Sequence, residues 1–104
     1  MNKQKTIIGI DIGGTKIHAA LYDAKNFRLL QEERLATNAK RGFEAILKDA
    51  VKLISILQNA QTVAIGVGVP GYIDYQKQTI FKTPNIPLKK PINLVNYCKK
   101  KLNV

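Results

Sequence analysis

The amino-acid sequence predicts an α/β fold in which two helices accompany a mixed sheet. Three observations support this prediction. Three strand-like segments joined by turn residues fill the first 36 positions, a segment with helical periodicity follows at 42–59, and an apolar run at 62–67 leads into a region with several Gly and Pro residues. Hydrophobic residues make up 45% of the 104 residues, an ordinary share for a single globular domain.

The first strand is predicted at residues 6–11, an apolar run that ends in the acidic residue Asp11. Such a run is typical of a buried strand that leads to a functional site. Gly13 and Gly14 follow this strand. They predict a tight hairpin turn, because glycine accepts the positive φ that such turns demand.

The second strand is predicted at 16–23 and the third at 27–36. The charged stretch at 31–34 indicates that the third strand is solvated and lies at the edge of the sheet. Three apolar side chains of this strand are predicted to face inward: Phe27, Leu29 and Leu35. The three strands are linked by hairpin turns.

Two helices, a fourth strand and a hairpin complete the prediction. Apolar residues recur at three- and four-residue steps across 42–59, which is typical of a helix that packs one face on a core. The apolar run at 62–67 predicts the fourth strand, and two short arms around 75–78 predict the hairpin. A second helix is predicted from near Pro91, because proline is tolerated in the first helical turn.

The chain is strongly basic, with 17 Lys and Arg against 7 Asp and Glu and a formal net charge of +10. Clustered cations can neutralise phosphates, so the charge alone admits a nucleic-acid partner. The distribution argues against it, because only three of the cations are arginine, the residue that reads guanine bidentately, and most lysines are scattered. We therefore expect no nucleic-acid partner.

Cysteine usage and hydropathy limit the cellular context. Cys98 is the single cysteine of the sequence, which excludes an intrachain disulfide and a zinc site built from cysteines. No apolar run approaches the ~20 residues that a membrane helix needs, and the apolar stretch after the basic N-terminus is too short for a signal peptide. The sequence therefore predicts a cytoplasmic protein without a membrane partner.

Two glycine-rich segments are similar to nucleotide-binding motifs but lack the required context. Segment 9–16 lacks the Gly-Lys-Ser/Thr order of a Walker P-loop, and a strand is predicted after it where that motif needs a helix. Segment 66–71 matches the Gly-x-Gly-x-x-Gly pattern, but Pro84 and Pro87 break the stretch in which a dinucleotide fold would continue. Both interpretations are rejected.

Segment 11–16 is a third glycine motif, and its residue types suit a phosphate ligand. A carboxylate at a strand end can hold Mg²⁺ through water. Glycines without side chains let a phosphate approach backbone N–H groups, and Thr15 and Lys16 add a hydroxyl donor and a positive charge. The alternative is a plain Gly-Gly hairpin turn with an incidental acid.

The order of the predicted elements resembles the ribonuclease-H-like half-domain of the actin, Hsp70 and sugar-kinase superfamily. The ROK (repressor, open reading frame, kinase) family of sugar kinases is the more similar branch. Residues 10–17 resemble its N-terminal signature, residues 65–74 its G-[IV]-G-[IV]-P-G-x-[IV]-D segment, and residues 83–87 its PN-[LI]-P loop. The resemblance covers nearly the whole chain and only the N-terminal part of a typical family member.

The resemblance implies roles for individual residues at the first turn. Asp11, Gly13, Gly14, Thr15 and Lys16 would face the phosphates of ATP, and Asp11 would also face Mg²⁺. The nucleotide and its metal ion are therefore the implied cofactors.

On the sugar side, the resemblance assigns Gly71 and Asn85 to loops that border the substrate. The alternatives are a turn glycine and a loop asparagine that bonds its own backbone. His18 does not correspond to the zinc histidine of the family, and we expect an ordinary strand side chain at that position. Cys98 is expected to pack within the second helix.

The resemblance implies that residues 1–104 are the partial N-terminal lobe of an ATP-dependent hexose kinase, a homo-oligomer whose other partners are small molecules. The chain ends where another strand is expected to begin, before the Asn-Asp motif whose Asp is the general base of the family. Phosphoryl transfer needs positioning and charge neutralisation from both sides of a cleft. We therefore expect a fragment that contains no catalytic residue and is inactive when isolated.

Two alternative functions stay open. Some ROK proteins are transcriptional regulators with an N-terminal helix-turn-helix domain, but only five residues precede the first predicted strand. The other alternative is a non-catalytic, actin-like association module, in which the exposed edge of the fourth strand pairs with another chain.

Overall fold

A computed structural model describes residues 4–69, 71–83 and 86–102. Four strands form its main sheet: β1 (Thr6–Ile12), β2 (Lys16–Asp23), β3 (Leu29–Ala36) and β4 (Thr62–Gly68). They lie in the order β3-β2-β1-β4. The first three strands are antiparallel to one another, whereas β4 runs parallel to β1. The mixed sheet that the sequence predicts is confirmed.

α1 (Phe43–Leu57) follows a short 3-10 turn (Ala39–Arg41) and packs across one face of the main sheet, which we call the covered face. Alternate residues of β1 and β2 are buried on this face: Ile8, Ile10, Ile12, Ile17, Ala19 and Leu21. The side chains of α1 that meet them recur at helical spacing and are also buried: Phe43, Ile46, Leu47, Ala50, Leu53, Ile54 and Leu57. The predicted helix therefore supplies one half of the core.

A second, smaller sheet contains β5 (Tyr72–Asp74), β6 (Thr79–Lys82) and β7 (Ile92–Asn93), in the order β5-β6-β7. α2 (Leu94–Leu102) follows β7 directly and packs against α1, β6 and β7. Ile80 and Ile86 are buried in the same core as the residues of α1, so the two sheets share one hydrophobic core. Within the described ranges, neither helix is long and apolar enough to cross a membrane.

The opposite face of the main sheet, which we call the open face, carries smaller and more polar side chains. β1 contributes Ile7, Gly9 and Asp11 to it. β4 contributes their cross-strand neighbours, all of them small: Ala64, Gly66 and Gly68. No helix of the described ranges packs on this face, because α1 lies on the covered face and α2 contacts the smaller sheet.

The start of α2 differs from the sequence prediction, which placed it near Pro91. Ile92 and Asn93 instead pair with β6 as a short strand. Asn93 then caps the helix, because its side-chain oxygen accepts a hydrogen bond from the Asn96 N–H at 2.9 Å. A strand of two residues shows no alternation, so its sequence carries no recognisable signal.

β3 lies at the edge of the main sheet, as its charge predicts, but the prediction of inward-facing apolar side chains is wrong. Phe27 is 68% exposed, Leu29 49% and Leu35 37%. Phe27 belongs to the turn before β3 and adopts a φ of 59°. β3 has a neighbouring strand on one side only, so its apolar side chains stay accessible.

Candidate functional site

The turn between β1 and β2 is closed by one backbone hydrogen bond, in which the Gly13 N–H donates to the Lys16 carbonyl oxygen at 2.9 Å. A Cβ on Gly13 would lie 3.0 Å from that same oxygen, so a side chain would crowd the turn. A Cβ on Gly14 would meet no atom within 4 Å. The backbone of Gly14 is therefore open to approach by a ligand.

The physical reason for these glycines differs from the sequence prediction. Neither Gly13 nor Gly14 has the positive φ predicted for a tight hairpin, and Gly42 is the one described glycine that has it. The requirement at Gly13 is steric, because the Lys16 carbonyl oxygen is close. At Gly14 the missing side chain leaves the backbone accessible.

Asp11 lies on the open face near the end of β1 and is exposed. It pairs across the sheet with His18 of β2 and Gly68 of β4. A Cβ on Gly68 would lie 3.2 Å from Asp11 Oδ1, so glycine at this position makes room for the carboxylate. The described residues contain no group of three or more His, Cys, Asp and Glu side chains that could hold a metal ion. A cation held by Asp11 would therefore take its remaining ligands from water and from a bound substrate.

Thr15 and Lys16 complete the candidate phosphate site. Both are exposed, as is Gly14. The structure brings all five predicted residues to one end of the β1–β2 hairpin: Asp11, Gly13, Gly14, Thr15 and Lys16. A carboxylate for a cation, an accessible glycine backbone, a hydroxyl and an ammonium group suit a metal-bound phosphate chain.

Thr37 follows β3 directly, is fully buried at 0% exposure, and contacts this turn. Its hydroxyl donates to the Gly13 carbonyl oxygen at 2.7 Å, and its N–H donates to the Thr15 carbonyl oxygen at 2.9 Å. No sequence motif marks Thr37. The available signal is its place in a hairpin-linked set of three strands, where the residue after the third strand lies beside the first turn.

Arg41 holds Thr37 from the other side. Arg41 Nη2 donates to the Thr37 carbonyl oxygen at 2.7 Å and to Asp49 Oδ2 on α1, also at 2.7 Å. The segment after β3 is therefore tied both to the turn and to the helix that packs on the covered face.

Gly71 lies directly before β5, where the backbone packs closely against the end of β6. A Cβ on Gly71 would lie 2.6 Å from the Lys82 carbonyl oxygen and 3.1 Å from Thr83 Cγ2. Close backbone packing therefore accounts for a glycine at this position.

Asn85 lies outside the described residues, but three residues near it are held in place. Thr83 Oγ1 donates to the Ile86 carbonyl oxygen at 2.5 Å, and Ile86 is buried. The Phe43 N–H at the start of α1 donates to the Pro87 carbonyl oxygen at 2.8 Å. The segment that follows Asn85 is therefore anchored to the N-terminus of α1.

His18 lies on β2, as predicted, and shares the open face with Asp11. Its Nε2 lies 2.8 Å from Glu32 Oε2 on β3, and Arg34 Nη2 lies 3.5 Å from the same oxygen. The hydrogen bond with His18 and the charge of Arg34 lower the pKa of Glu32 below its ordinary value. His18 thus acts as a cross-strand partner at the sheet surface.

Cys98 is a half-buried free thiol on α2, in agreement with its prediction as a packed helix residue. Burial raises the pKa of this thiol, which keeps it protonated near neutral pH and makes it a weak nucleophile. An apolar cavity of about 570 Å³ lies between α2 and β4. Its lining includes Val63, Ile65, Val67, Leu94 and Cys98.

Solved structures contain similar folds. A ROK family glucokinase from Streptomyces griseus, in complex with glucose and AMPPNP, has a TM-score of 0.78 and 28% sequence identity over 95% of this chain and 31% of that one. A ROK hexokinase from Thermus thermophilus has a TM-score of 0.78 and 29% identity over 94% of this chain and 32% of that one. These similarities define the structural class of the chain. It is a partial domain of the actin-like ATPase fold, which ROK sugar kinases share.

The chain belongs to the ROK family, which it matches over residues 7–104. A glucokinase from Streptomyces coelicolor is 36% identical over 94 residues, which cover 82% of this chain and 28% of that protein. An N-acetyl-D-glucosamine kinase from Citrobacter koseri is 32% identical over 81 residues, which cover 76% of this chain and 26% of that protein. The chain thus spans just over a quarter of the length of these relatives.

Proposed function

We propose that residues 1–104 form the partial N-terminal lobe of an ATP-dependent hexose kinase and that residues 11–16 form its first phosphate-binding turn. One observation carries the proposal: a hydrogen bond of 2.9 Å closes the turn at Gly13 and leaves the Gly14 backbone accessible, at the same end of the β1–β2 hairpin as the exposed Asp11 carboxylate. Membership of the ROK family supports it, and a ROK glucokinase of similar fold forms a complex with glucose and AMPPNP.

ATP and Mg²⁺ are the proposed cofactors. Oxygens of the phosphate chain accept hydrogen bonds from the backbone of Gly14 and from the Thr15 hydroxyl, and Lys16 offsets their charge. Asp11 would hold Mg²⁺ directly or through water, and the bound ion would supply further neutralisation of the phosphate charge. A single exposed carboxylate fits this cation, since Mg²⁺ keeps several waters and needs only one or two carboxylates from the protein.

The proposed substrate class is a hexose, in line with the glucokinase and N-acetyl-D-glucosamine kinase relatives. We assign Gly71 and Asn85 to the rim of the sugar site. The hydrogen bond of 2.8 Å between Phe43 and Pro87 supports the assignment of Asn85, because a sugar rim must hold its donors and acceptors in fixed positions.

We assign no catalytic base to this chain and expect it to be inactive when isolated. Phosphoryl transfer depends on positioning and on charge neutralisation from both walls of a cleft. The chain corresponds to 28% of the Streptomyces coelicolor glucokinase, so a kinase of that length would draw its second wall from other residues. Carbohydrate metabolism in the cytoplasm is the proposed setting.

Titration of Mg·AMPPNP into the purified chain, followed by amide NMR, tests the phosphate-binding turn. Signals of residues 13–16 should shift, and Asp11→Asn and Lys16→Met should each weaken binding. Lys25→Met is the matched control, because Lys25 lies in the turn at the opposite end of β2 and should not contribute. Unshifted signals at 13–16, or an equal loss in Lys25→Met, would contradict the proposal.

A coupled assay of ATP-dependent phosphorylation tests the substrate class. The isolated chain should give no turnover with glucose, mannose, fructose or N-acetylated hexoses. A longer protein that contains this chain should phosphorylate at least one of them with ATP and Mg²⁺. Turnover by the chain alone would refute its inactivity, and failure of the longer protein with every sugar would refute the kinase.

Self-association through β4 is a second proposed property, that of the alternative association module in which this strand edge pairs with another chain. Among the described strands β4 pairs with β1 alone, so its outer edge has no strand partner. Val63 on this strand is 58% exposed and lies beside the apolar cavity. An open apolar edge of this kind is a template for a strand of a second copy.

Sedimentation at increasing protein concentration tests the association. The wild-type chain should form dimers or larger species, and Val63→Lys should shift it to the monomer. Leu30→Lys on β3 is the matched control, because Leu30 is also exposed (40%) but lies on the opposite edge. A wild-type chain that stays monomeric would rule out self-association through β4.

A further inference from the structure

Thr37 joins the end of β3 to the phosphate-binding turn through both of its hydrogen-bond donors. The hydroxyl donates to the Gly13 carbonyl oxygen at 2.7 Å, and the N–H donates to the Thr15 carbonyl oxygen at 2.9 Å. Thr37 is 0% exposed, so water has little access to compete for these bonds. One buried residue therefore fixes the carbonyl groups on either side of Gly14.

The direction of the Gly13 carbonyl sets the direction of the next N–H group. In a trans peptide, the C=O of one residue and the N–H of the next point in opposite directions, and the described residues contain no cis peptide bond. Because the Gly13 carbonyl points to Thr37, the Gly14 N–H points away from it. Gly14 is exposed and the position of its absent side chain has no atom within 4 Å, so this N–H belongs to the accessible part of the turn.

The Gly13–Gly14 peptide would be free to rotate without this contact. Glycine adopts backbone conformations that other residues avoid, so two glycines in sequence allow the peptide to turn its carbonyl oxygen outward. An outward carbonyl oxygen repels a phosphate oxygen, whereas an outward N–H donates to it. The contact with Thr37 selects the second orientation.

We propose that Thr37 is a positioning residue, whose hydroxyl holds the Gly13 carbonyl inward so that the Gly14 N–H faces the bound phosphate chain. The proposal rests on the function proposed for residues 11–16. Thr37 acts through Gly14 and does not contact the nucleotide itself. Arg41 supports it, since its guanidinium group joins the Thr37 carbonyl oxygen to Asp49 with two hydrogen bonds of 2.7 Å.

Two substitutions at Thr37 distinguish the contribution of its hydroxyl from that of the rest of the residue. Thr37→Val removes the hydroxyl but keeps the shape and the backbone N–H, and Thr37→Ser keeps the hydroxyl. Thr79→Val is the matched control, because the Thr79 hydroxyl also donates to a backbone carbonyl oxygen, that of Lys77, at 2.9 Å. Affinity for Mg·AMPPNP should fall about tenfold in Thr37→Val, as for the loss of one hydrogen bond. It should be unchanged in Thr37→Ser and Thr79→Val.

Amide spectra recorded without nucleotide test the orientation of the turn by itself. The Gly14 signal of Thr37→Val should shift and broaden, because the peptide samples two orientations, and Thr37→Ser should keep the wild-type signal. Wild-type affinity in Thr37→Val, or an unchanged Gly14 signal, overturns the proposal. If the wild-type chain does not bind Mg·AMPPNP, the function proposed for 11–16 fails, and the Gly14 signal still decides whether Thr37 orients the turn.

Arg41→Lys provides the test if Thr37→Val does not fold. This substitution keeps the positive charge but removes Nη2, the guanidinium nitrogen whose two hydrogen bonds join Thr37 to Asp49. The Gly14 signal should then shift, but by less than it would if the Gly13 carbonyl lost its hydrogen bond to Thr37. An unchanged Gly14 signal in a folded Arg41→Lys chain overturns the proposal.

Discussion

The covered and open faces of the main sheet differ in side-chain size, polarity and neighbours. On β1, the covered face holds three isoleucines that are at most 3% exposed: Ile8, Ile10 and Ile12. The open face of the same strand holds Ile7, Gly9 and the exposed Asp11. α1 packs on the first face, and no helix of the described ranges packs on the second.

The comparison teaches that stability and chemistry are divided between alternate residues of one strand. Successive side chains of a strand point to opposite faces, so Ile10 contributes to the core while its neighbour Asp11 faces solvent. Substitutions along β1 and β4 should therefore alter either folding or ligand binding according to their face.

The largest effect is expected from Ile10→Ala on the covered face. Ile10 is 3% exposed, and loss of a buried isoleucine leaves a cavity that lowers the free energy of unfolding by about 2–5 kcal/mol. Ile7→Ala on the open face of the same strand should lower it by about 1 kcal/mol or less. Urea denaturation of both variants measures the difference, and equal losses would show that the two faces contribute alike.

A smaller effect, on binding, is expected from Gly68→Ala on the open face. The new Cβ would lie 3.2 Å from Asp11 Oδ1, so the carboxylate must move and affinity for Mg·AMPPNP should fall. Gly66→Ala is the matched control, because its Cβ would meet no atom within 4 Å. Calorimetric titration of the two variants should separate them, and equal affinities would mean that Asp11 does not need this space.

The smallest effect is expected from Glu32→Gln at the sheet edge. The hydrogen bond with His18 and the charge of Arg34 lower the pKa of Glu32 from its ordinary value of 4.5. A lowered pKa stabilises the fold above the ordinary value, and the contribution disappears as the pH falls through the lowered pKa. The melting temperature of Glu32→Gln should therefore lie slightly below that of the wild type near neutral pH and converge with it in acid. A difference in melting temperature that grows as the pH falls would contradict the lowered pKa of Glu32.

Much of the fold is predictable from local sequence patterns. The helical periodicity at 42–59 corresponds to α1 (Phe43–Leu57), and the apolar run at 62–67 corresponds to β4 (Thr62–Gly68). The proximity of the residues of the candidate phosphate site is predictable for a similar reason, because they are contiguous in one hairpin. Elements that depend on contacts between residues close together in the chain show a periodic or contiguous pattern, and such a pattern can be recognised in a single sequence.

Features that depend on distant contacts could not be predicted. Thr37 lies 24 residues from Gly13, and nothing in its own neighbourhood indicates the hydrogen bond between them. β7 forms because Ile92 and Asn93 pair with β6. The exposure of Leu29 depends on the position of β3 at the edge of the main sheet. The glycine at 13 is selected by a carbonyl oxygen 3.0 Å from its absent Cβ, a clash that requires coordinates.

The parallel pairing of β1 with β4 has a consequence for the order of folding. Thr6 and Thr62 are neighbours in the sheet although 56 residues separate them, and closing so long a loop costs more entropy than forming the β1–β2 hairpin. β1, β2, β3 and Thr37 all precede β4 in the chain and therefore leave the ribosome before it. We expect the turn at residues 11–16 to assemble from these early contacts, and β4 to dock on a hairpin that has already formed.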